Sequence, residues 1–264
     1  LLYDKRNFLI LNAIEIAKAI GATHLLIENV PRFQNMLFPH EGKLISLEEL
    51  LKITFGNQYT VDVQVFNAAD YGVPQTRNRV VYRVWEKGTA WELPVKEQPI
   101  SLMEAIGDLP SLEACENSSI KNHYARKHPL NQIEWMQHTP NGCSAYANEN
   151  HFPQKKDGTK ITGYKNCYTR MKWDRPAPTI TMRNEIMSSQ ENVHPGRLLS
   201  SGLWSDARVL TPRELFIVSS LPADLDIPQT VSETAFRQLV GEGIPPLMLN
   251  KIVAGIEPRT GGEK

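Results

Sequence analysis

One short stretch of the chain carries three hydrogen-bonding side chains at a spacing of two residues. Gln75, Arg77 and Arg79 follow the loop that contains Gly72 and Pro74, and they lead into an apolar run. Because side chains alternate along a strand, this spacing predicts that all three leave a strand on one face. Such a set of donors suits carbonyl oxygens, phosphates or the edge of a base. A solvated edge strand that carries surface arginines is an equally good reading of the spacing alone.

Glu28 is a second candidate for chemistry, because it ends a short apolar run. A helical pattern from Lys5 to Ile20 stops at Gly21, and residues 23–28 then have the pattern of a buried strand. Helix, tight turn and strand in this order predict half of a doubly wound α/β sheet. Ligands of such sheets bind outside the carboxyl ends of the strands, where Glu28 would lie. Capping of the next turn is the alternative role for this carboxylate.

Length and composition predict an ordinary globular protein with one large or two medium domains. The chain has 264 residues and a formal net charge of +0, so nucleic-acid binding would need a local patch. No run is apolar enough to span a membrane and the start does not resemble a signal peptide, which favours a cytoplasmic location without a membrane partner. Three cysteines, without the paired spacing of metal ligands, predict reduced thiols and no metal site.

Local signals predict the remaining elements. Three further helices are indicated by cap residues or periodicity, at 46–53 with Ser46 as cap, at 101–106 and at 132–137, and Thr211 begins a fourth. Residues 59–66 alternate as a strand, and the strand after Gln75 is expected to run antiparallel to its neighbour. Residues 179–181 are predicted to start another strand.

A basic stretch from residue 154 to residue 183 is interleaved with aromatic side chains. Its predicted DNA contacts are Lys155, Lys156, Lys165, Arg170, Arg175 and Arg183. Basic residues among aromatics and glycines suit a nucleic-acid backbone with bases nearby. A solvated basic loop is the alternative.

Near the end of the chain, Gly241, Glu242 and Gly243 precede Pro245 and Pro246. A glycine before a proline-started helix predicts an exposed helix N-terminus that a ligand could approach. Taken alone, the Gly-Glu-Gly pattern is weakly specific.

Taken together and in order, these motifs resemble the DNA cytosine-C5 methyltransferases. Residues 25–30 resemble the Glu-Asn-Val motif of that family, and residues 71–79 resemble its Gln-x-Arg-x-Arg motif. Residues 168–180 resemble the Arg…Pro-x-x-Thr-Ile motif that scaffolds the target-recognition domain. Residues 208–215 resemble the lead-in to the last motif of the family, and residues 238–246 resemble the last motif itself. The resemblance covers nearly the whole chain and is weakest from residue 86 to residue 165.

The resemblance implies transfer of a methyl group from S-adenosylmethionine to C5 of a cytosine flipped out of double-stranded DNA at a specific sequence. It implies that the carboxyl group of Glu28 contacts N3 and the N4 amine of the base, and that Arg79 contacts O2. Arg77 would organise the nucleophile loop or a phosphate, whereas Asn29 and Gln75 would support the loop and the strand. Residues 241–243 would bind the cofactor.

Two features of the family pattern are missing or altered. The chain contains neither a Phe-x-Gly-x-Gly cofactor loop nor a Pro-Cys-Gln nucleophile loop. We therefore expect the carboxyl part of such an enzyme, inactive alone and dependent on an amino-terminal part in the same polypeptide or in a separate subunit. In addition, Glu242 stands where the family commonly has asparagine.

The expected architecture is α/β. Half of a doubly wound, Rossmann-like methyltransferase sheet at 1–86 is joined to an irregular target-recognition domain at 87–235, and a C-terminal helix at 236–264 returns to the catalytic domain. A bacterial restriction-modification system, with the protein at the nucleoid, is the setting that the resemblance implies. Two alternatives remain open, a non-catalytic DNA-binding remnant and an RNA cytosine-C5 methyltransferase.

Overall fold

The computed structural model describes residues 8–155, 157–161, 163 and 166–257, and the chain divides into two compact units. The first unit comprises Leu1–Asn67, Asn78–Val95 and Lys251–Lys264, and the second comprises Ala68–Arg77 and Lys96–Asn250. The second unit thus takes in residues 68–77 and 236–250, which we expected in the catalytic domain. The division at 86 and 235 stays a prediction about function, since compactness alone does not say which unit does the chemistry.

The described residues form five strands and seven α-helices. The strands are β1 His24–Asn29, β2 Leu37–His40, β3 Lys43–Ser46, β4 Tyr59–Asn67 and β5 Asn78–Glu86. The helices are α1 Leu9–Ala19, α2 Leu47–Phe55, α3 Leu102–Ile106, α4 Leu130–Gln137, α5 Pro212–Val218, α6 Glu233–Glu242 and α7 Pro246–Ala254. The mixed α/β character that the sequence predicts is confirmed.

The first unit is built on a three-stranded sheet with the order β1-β5-β4, in which both pairs run antiparallel. The predicted antiparallel course of the strand after Gln75 is confirmed. Residues opposite one another share a face, so the register places Glu28 beside Val81 and Phe66 beside Arg79. Side chains at odd positions of β5 therefore form one polar-rich face, and those at even positions face the core.

The core of the first unit lies between the even face of β5 and two helices. Val80, Tyr82 and Val84 are buried against a cluster that includes Ile14 of α1 and Leu51 of α2. Burial raises the pKa of the Tyr82 hydroxyl to about 12, with a further contribution from a nearby carboxylate. The apolar side of the predicted sheet is thus covered by its own helices.

Both flanking helices follow the predicted local signals where they are described. The first described α-helical residue is Leu9, and α1 ends before Gly21, whose φ of +63° suits glycine. Its predicted start at Lys5 lies outside the described residues. The hydroxyl of Ser46 accepts a hydrogen bond from the N–H of Glu49, which confirms Ser46 as the cap of α2.

The second unit consists of short helices joined by long connections, as its turn-rich sequence predicts. Ser101 and Thr211 each complete a capping box, with Glu104 and Glu214 respectively. The predicted strand at residues 179–181 is wrong, because these residues form neither a strand nor a bridge. The N–H and the carbonyl of Ile180 bond the side chains of Gln75 and Arg77 instead of a neighbouring strand.

A cluster of buried charges holds the middle of the second unit together. The guanidinium of Arg208 contacts Asp206 at 2.8 Å and both carboxylate oxygens of Glu214 at 2.8 and 3.0 Å, and all three side chains are fully buried. Burial by itself raises the pKa of Glu214, but the charge of Arg208 outweighs it and lowers that pKa to about 2. Burial, reinforced by Arg208, lowers the pKa of His194 to about 4, so this ring is neutral at pH 7 despite the carboxylates nearby.

Candidate active site

Glu28 and Arg79 form an ion pair in the first unit, on the face of the sheet to which the odd-numbered side chains of β5 point. The Nε of Arg79 lies 2.6 Å from Oε1 of Glu28. Because Glu28 is opposite Val81, Arg79 is its diagonal neighbour two residues along β5. The side chains of Glu28 and Arg79 are 21% and 12% exposed, so the pair is held in place and can still be reached from solvent.

The end of β1 sets the position of this pair. Glu28 is the penultimate residue of β1, which confirms the predicted strand end. The side-chain oxygen of Asn29 accepts a hydrogen bond from the N–H of Val30 at 2.8 Å and so fixes the turn into Pro31–Asn35. Arg79 also donates from Nη1 to the carbonyl of Asn78 at 2.8 Å. Backbone and side-chain contacts therefore orient both members of the pair.

The chemistry open to Glu28 and Arg79 follows from their functional groups. A carboxyl group accepts hydrogen bonds when charged and donates one when protonated, whereas a guanidinium only donates. Placed side by side, they can bind a planar ring that presents a ring nitrogen or an amine next to a carbonyl oxygen. The same guanidinium would stabilise negative charge that develops on that carbonyl.

A second carboxylate–arginine pair on the same face has a different environment. Arg83 contacts Oδ2 of Asp62 at 2.6 and 3.1 Å and donates to the carbonyl of Trp91 at 3.0 Å. Its guanidinium lies 5.4 and 5.5 Å from the ring centroids of Trp85 and Trp91, within cation–π range. Arg83 is buried and enclosed, so this pair is a structural contact and a natural comparison for Glu28 and Arg79.

Gln75 braces three segments of the second unit. Its Nε2 donates to the carbonyl of Val218 at 3.0 Å, and its Oε1 accepts from the N–H of Ile180 at 3.2 Å. Beside it, the N–H of Thr76 donates to the carbonyl of Ala177 at 2.8 Å. The two motifs at 71–79 and 168–180 are thereby tied together by hydrogen bonds.

Arg77 lies in the interior of the second unit, where it is 2% exposed. Its Nη1 donates to the carbonyl of Ile180 at 2.9 Å, and its Nη2 donates to the carbonyls of Gly241 and Glu242 at 2.9 and 3.3 Å. The predicted role of Arg77, to organise the nucleophile loop or a phosphate, stays a prediction. Its terminal nitrogens are engaged by main-chain oxygens, so it positions the segment at residue 180 against the end of α6.

The prediction that Gln75, Arg77 and Arg79 share one strand face is wrong, because β5 begins only at Asn78. The alternation itself is present: Gln75 and Arg77 are buried, whereas Thr76 and Asn78 are exposed. The alternative of solvated surface arginines fails as well, since Arg77 is buried. Of the three residues at this spacing, Gln75 and Arg77 thus bond main-chain atoms of other segments, whereas Arg79 forms an ion pair with Glu28.

The predicted cofactor residues lie at the end of α6 rather than at a helix N-terminus. The helix ends at Glu242, with Gly243 as its C-cap, and α7 begins at Pro246. The N–H of Leu247 in the first turn of α7 donates to the hydroxyl of Ser220 at 3.1 Å. Gly241 is buried against the main chain of Thr181, which explains why a residue without a side chain stands there.

Replacing Gly241 by alanine is expected to destabilise the second unit by about 1–3 kcal/mol through overpacking. An added Cβ would clash with the main-chain oxygen of Thr181, and Gly241 itself supplies a carbonyl to Arg77. Urea unfolding measures the loss. Gly243→Ala is the matched control, because its Cβ would meet nothing nearer than the carbonyl of Leu239 at 3.3 Å. Equal losses in both variants would contradict this account.

The basic residues predicted to contact DNA differ in exposure. Lys155 is exposed, and the side chains of Arg175 and Arg183 are 59% and 72% exposed. Lys156 and Lys165 lie outside the described residues. The prediction for Arg170 is wrong: it is 1% exposed, and its guanidinium donates to main-chain carbonyls that include those of Thr139 and His194 at 2.8 Å.

A largely apolar cavity of about 390 Å³ lies within the second unit. Its lining includes Gln75, Phe216, Ile227, Phe236, Gly243 and Ile244. Of the three predicted cofactor residues, Gly243 alone contributes to this lining.

The described part of the chain contains three cysteines, whose exposure differs. Cys115 and Cys143 are exposed and take part in no disulfide, and Cys167 is half-buried. Among the described residues, no group of three or more histidine, cysteine, aspartate or glutamate side chains could hold a metal ion. Likewise, no helix in the described ranges is both long and apolar enough to cross a membrane.

Comparison with known proteins gives a consistent result. Residues 2–257 match the family model described as C-5 cytosine-specific DNA methylase. The chain is 46% identical over 253 residues to the type II methyltransferase M1.HgaI of Avibacterium volantium, covering 96% of this chain and 71% of that protein. It is 30% identical to the type II methyltransferase M1.HphI of Haemophilus parahaemolyticus, covering 96% of this chain and 61% of that protein.

Among solved structures, the chain resembles a putative DNA modification methyltransferase encoded within an Escherichia coli prophage. The TM-score is 0.60 at 18% identity, and the match covers 96% of this chain and 74% of that one. This likeness concerns the fold and confirms the predicted methyltransferase fold class.

Proposed function

The chain belongs to the family of C-5 cytosine-specific DNA methylases, and from that membership we propose that it carries the base-binding carboxylate and the DNA-binding part of a type II restriction-modification methyltransferase. The reaction is methyl transfer from S-adenosylmethionine to C5 of a cytosine that has been flipped out of duplex DNA. The observation that carries the proposal is the solvent-accessible pair of Glu28 and Arg79, with 2.6 Å between Oε1 and Nε.

Glu28 and Arg79 act on the cytosine ring. Cytosine C5 becomes nucleophilic only after a thiolate adds to C6, which puts negative charge into the ring toward N3 and O2. Glu28 shares a proton with N3 and accepts from the N4 amine, while Arg79 donates to O2 and stabilises its charge. Their contact with each other keeps both side chains oriented before the base arrives.

Gln75, Arg77 and Asn29 are positioning residues. Gln75 and Arg77 both bond main-chain atoms of Ile180, through the N–H and the carbonyl respectively. Asn29 fixes the turn that follows Glu28. Substitution of these three would alter the geometry of the segments they hold rather than remove a group that touches substrate.

The attacking thiolate comes from a companion segment that carries a Pro-Cys-Gln loop. None of the three cysteines in this sequence follows a proline. The companion segment is either part of the same polypeptide or a separate subunit.

The methyl donor that membership of this family implies is S-adenosylmethionine, which supplies an electrophilic methyl group on a sulfonium when bound. The residues at the end of α6 fit it in part. Glu242 presents an exposed carboxylate, which attracts a sulfonium, and Gly243 leaves its side of the apolar cavity open. Gly241 does not fit, since its missing side chain is accounted for by Thr181.

The test is to supply the missing motifs. The chain is co-expressed with, or fused to, an amino-terminal segment of a family member that carries the Gly-rich and Pro-Cys-Gln loops. We expect the joined protein to methylate cytosine C5 in duplex DNA, measured by bisulfite sequencing, and the chain alone to transfer nothing. Robust methyl transfer by the chain alone would contradict the proposal that the attacking thiolate comes from a companion segment. A joined protein that folds and binds DNA without transfer would support a DNA-binding remnant, and transfer to RNA alone would support the other alternative.

A further inference from the structure

A patch of polar side chains on one face of α4 in the second unit has the features of a base-reading surface. Asn131 and Glu134 share one face of the helix, His138 follows four residues later as its C-cap, and all three are exposed. The opposite face is anchored, because Trp135 and Met136 are buried in a hydrophobic cluster with residues such as Val193 and Val209. The exposed face is therefore carried by a rigid element.

A loop anchored on α4 completes the patch. The side-chain amide of Asn148 donates to the carbonyl of Trp135 at 3.1 Å, to the hydroxyl of Thr139 at 3.0 Å and to the carbonyl of His151 at 2.7 Å. This anchor sets the ring of His151 on the ring of His138, with centroids 3.5 Å apart and planes at 7°.

The stacked imidazoles also orient a carboxylate. Nδ1 of His151 lies 3.1 Å from Oε1 of Glu134, within hydrogen-bond distance. Burial, with the neighbouring ring of His151, lowers the pKa of His138, so the stack does not carry two charges at neutral pH. Pairs on an ordinary solvated helix face join residues of the same helix, whereas this contact joins Glu134 of α4 to a residue of the following loop.

A cavity of about 280 Å³ opens at the same part of α4, lined by Asn131, Glu134, Trp135, Gln154 and Lys155. Its polar groups are a carboxylate, two side-chain amides and an ammonium. These are the groups that read base edges: glutamate accepts from the exocyclic amine of cytosine, and asparagine or glutamine bonds adenine through N6 and N7. Lys155, which is exposed, is suited to a phosphate at the margin.

We propose that this patch, made of Asn131, Glu134, His138, His151 and Gln154, reads sequence in the major groove, and that Glu134 selects a base whose edge presents an amine. The proposal rests on the proposed function insofar as DNA is the substrate. Glu134, pre-oriented by His151, is the specificity-determining residue, and the amides of Asn131 and Gln154 read the neighbouring positions.

Sequence preference is measured with the joined protein, that is, this chain together with the amino-terminal segment that carries the missing motifs. Duplexes are selected from a randomised pool and then compared by competition binding at a fixed salt concentration. Glu134→Gln is expected to reduce discrimination at one base position by roughly 5- to 150-fold, while binding to unrelated duplex is unchanged. Asp226→Asn is the matched control, because it also removes one exposed carboxylate from an ion pair in the second unit, that with Lys121.

Selection by binding does not require methyl transfer, so the result does not depend on catalysis. A wild-type protein that prefers one sequence while Glu134→Gln weakens all sequences equally would overturn the proposal, and so would an unchanged preference. If the wild-type protein selects a sequence but methylates nothing, the proposed catalysis fails while the reading surface can still stand.

Discussion

Replacing Glu28 by glutamine in the protein completed with its thiol-bearing segment is expected to lower kcat by about 100- to 10,000-fold, the usual contribution of a positioned general acid or base. Glutamine keeps the size of the side chain and can still accept a hydrogen bond from Arg79. It cannot give a proton to N3, so the negative charge that forms on the ring after thiolate addition is no longer neutralised at N3 and is stabilised only by Arg79 at O2. Single-turnover methyl transfer to a duplex measures the chemical step separately from binding.

Asp62→Asn is the matched control for Glu28→Gln. Asp62 is a carboxylate on the same face of the sheet as Glu28, and it also contacts an arginine, Arg83. Unlike Arg79, Arg83 is enclosed by two tryptophan rings. We expect Asp62→Asn to lower the free energy of unfolding and to leave kcat per folded molecule unchanged. A kcat that falls equally in both variants would mean that Glu28 acts only by holding the sheet together.

The elements that sequence could predict are those specified by neighbours in the chain. Ser46, Ser101 and Thr211 cap helices through residues three positions away, so a short window of sequence holds all the information. The strand end at Glu28 and the antiparallel course of β5 follow from patterns of similar length. For the same reason the position of Glu28 in the candidate site was predictable.

What could not be predicted depends on partners far away in the sequence. Arg170 has the same side chain as the exposed Arg175, yet it is buried by carbonyls that are 24 or more residues distant, such as that of His194. Arg77 is likewise buried by the carbonyls of Ile180 and Gly241, which are 103 and 164 residues away. No local pattern distinguishes an arginine that meets phosphate from one that meets main-chain oxygens, because guanidinium donors suit both.

The polar patch on α4 gave a weak signal of the same kind. The spacing of Asn131, Glu134 and His138 is visible in the sequence, but it resembles the solvated face of any helix. The stacking of His151 on His138, set by Asn148, separates the two cases, and that contact joins residues 13 apart across a turn-rich loop.

Replacing Arg208 by methionine is expected to destabilise the second unit by about 3–5 kcal/mol, the usual cost of removing one partner from a buried ion pair. Arg208 contacts both Asp206 and Glu214 at 2.8 Å, and none of the three side chains is exposed by more than 1%. Without the guanidinium, both buried carboxylates lose the positive charge that they contact and must either remain charged or take up protons. Denaturant unfolding of the completed protein, followed by tryptophan fluorescence, measures the loss.

Two further variants distinguish lost charge compensation from lost packing. Arg197→Met removes an arginine that approaches the same Asp206 at 3.7 Å but is 34% exposed, and we expect a much smaller loss because solvent screens that contact. Arg208→Met combined with Asp206→Asn and Glu214→Gln should regain much of the stability, since neither carboxylate then lies buried without the charge of Arg208, and glutamine can still complete the capping box with Thr211. If the triple variant is as unstable as Arg208→Met alone, the arginine acts mainly through its packing and its hydrogen bonds to carbonyls, because neutral partners then bring no relief.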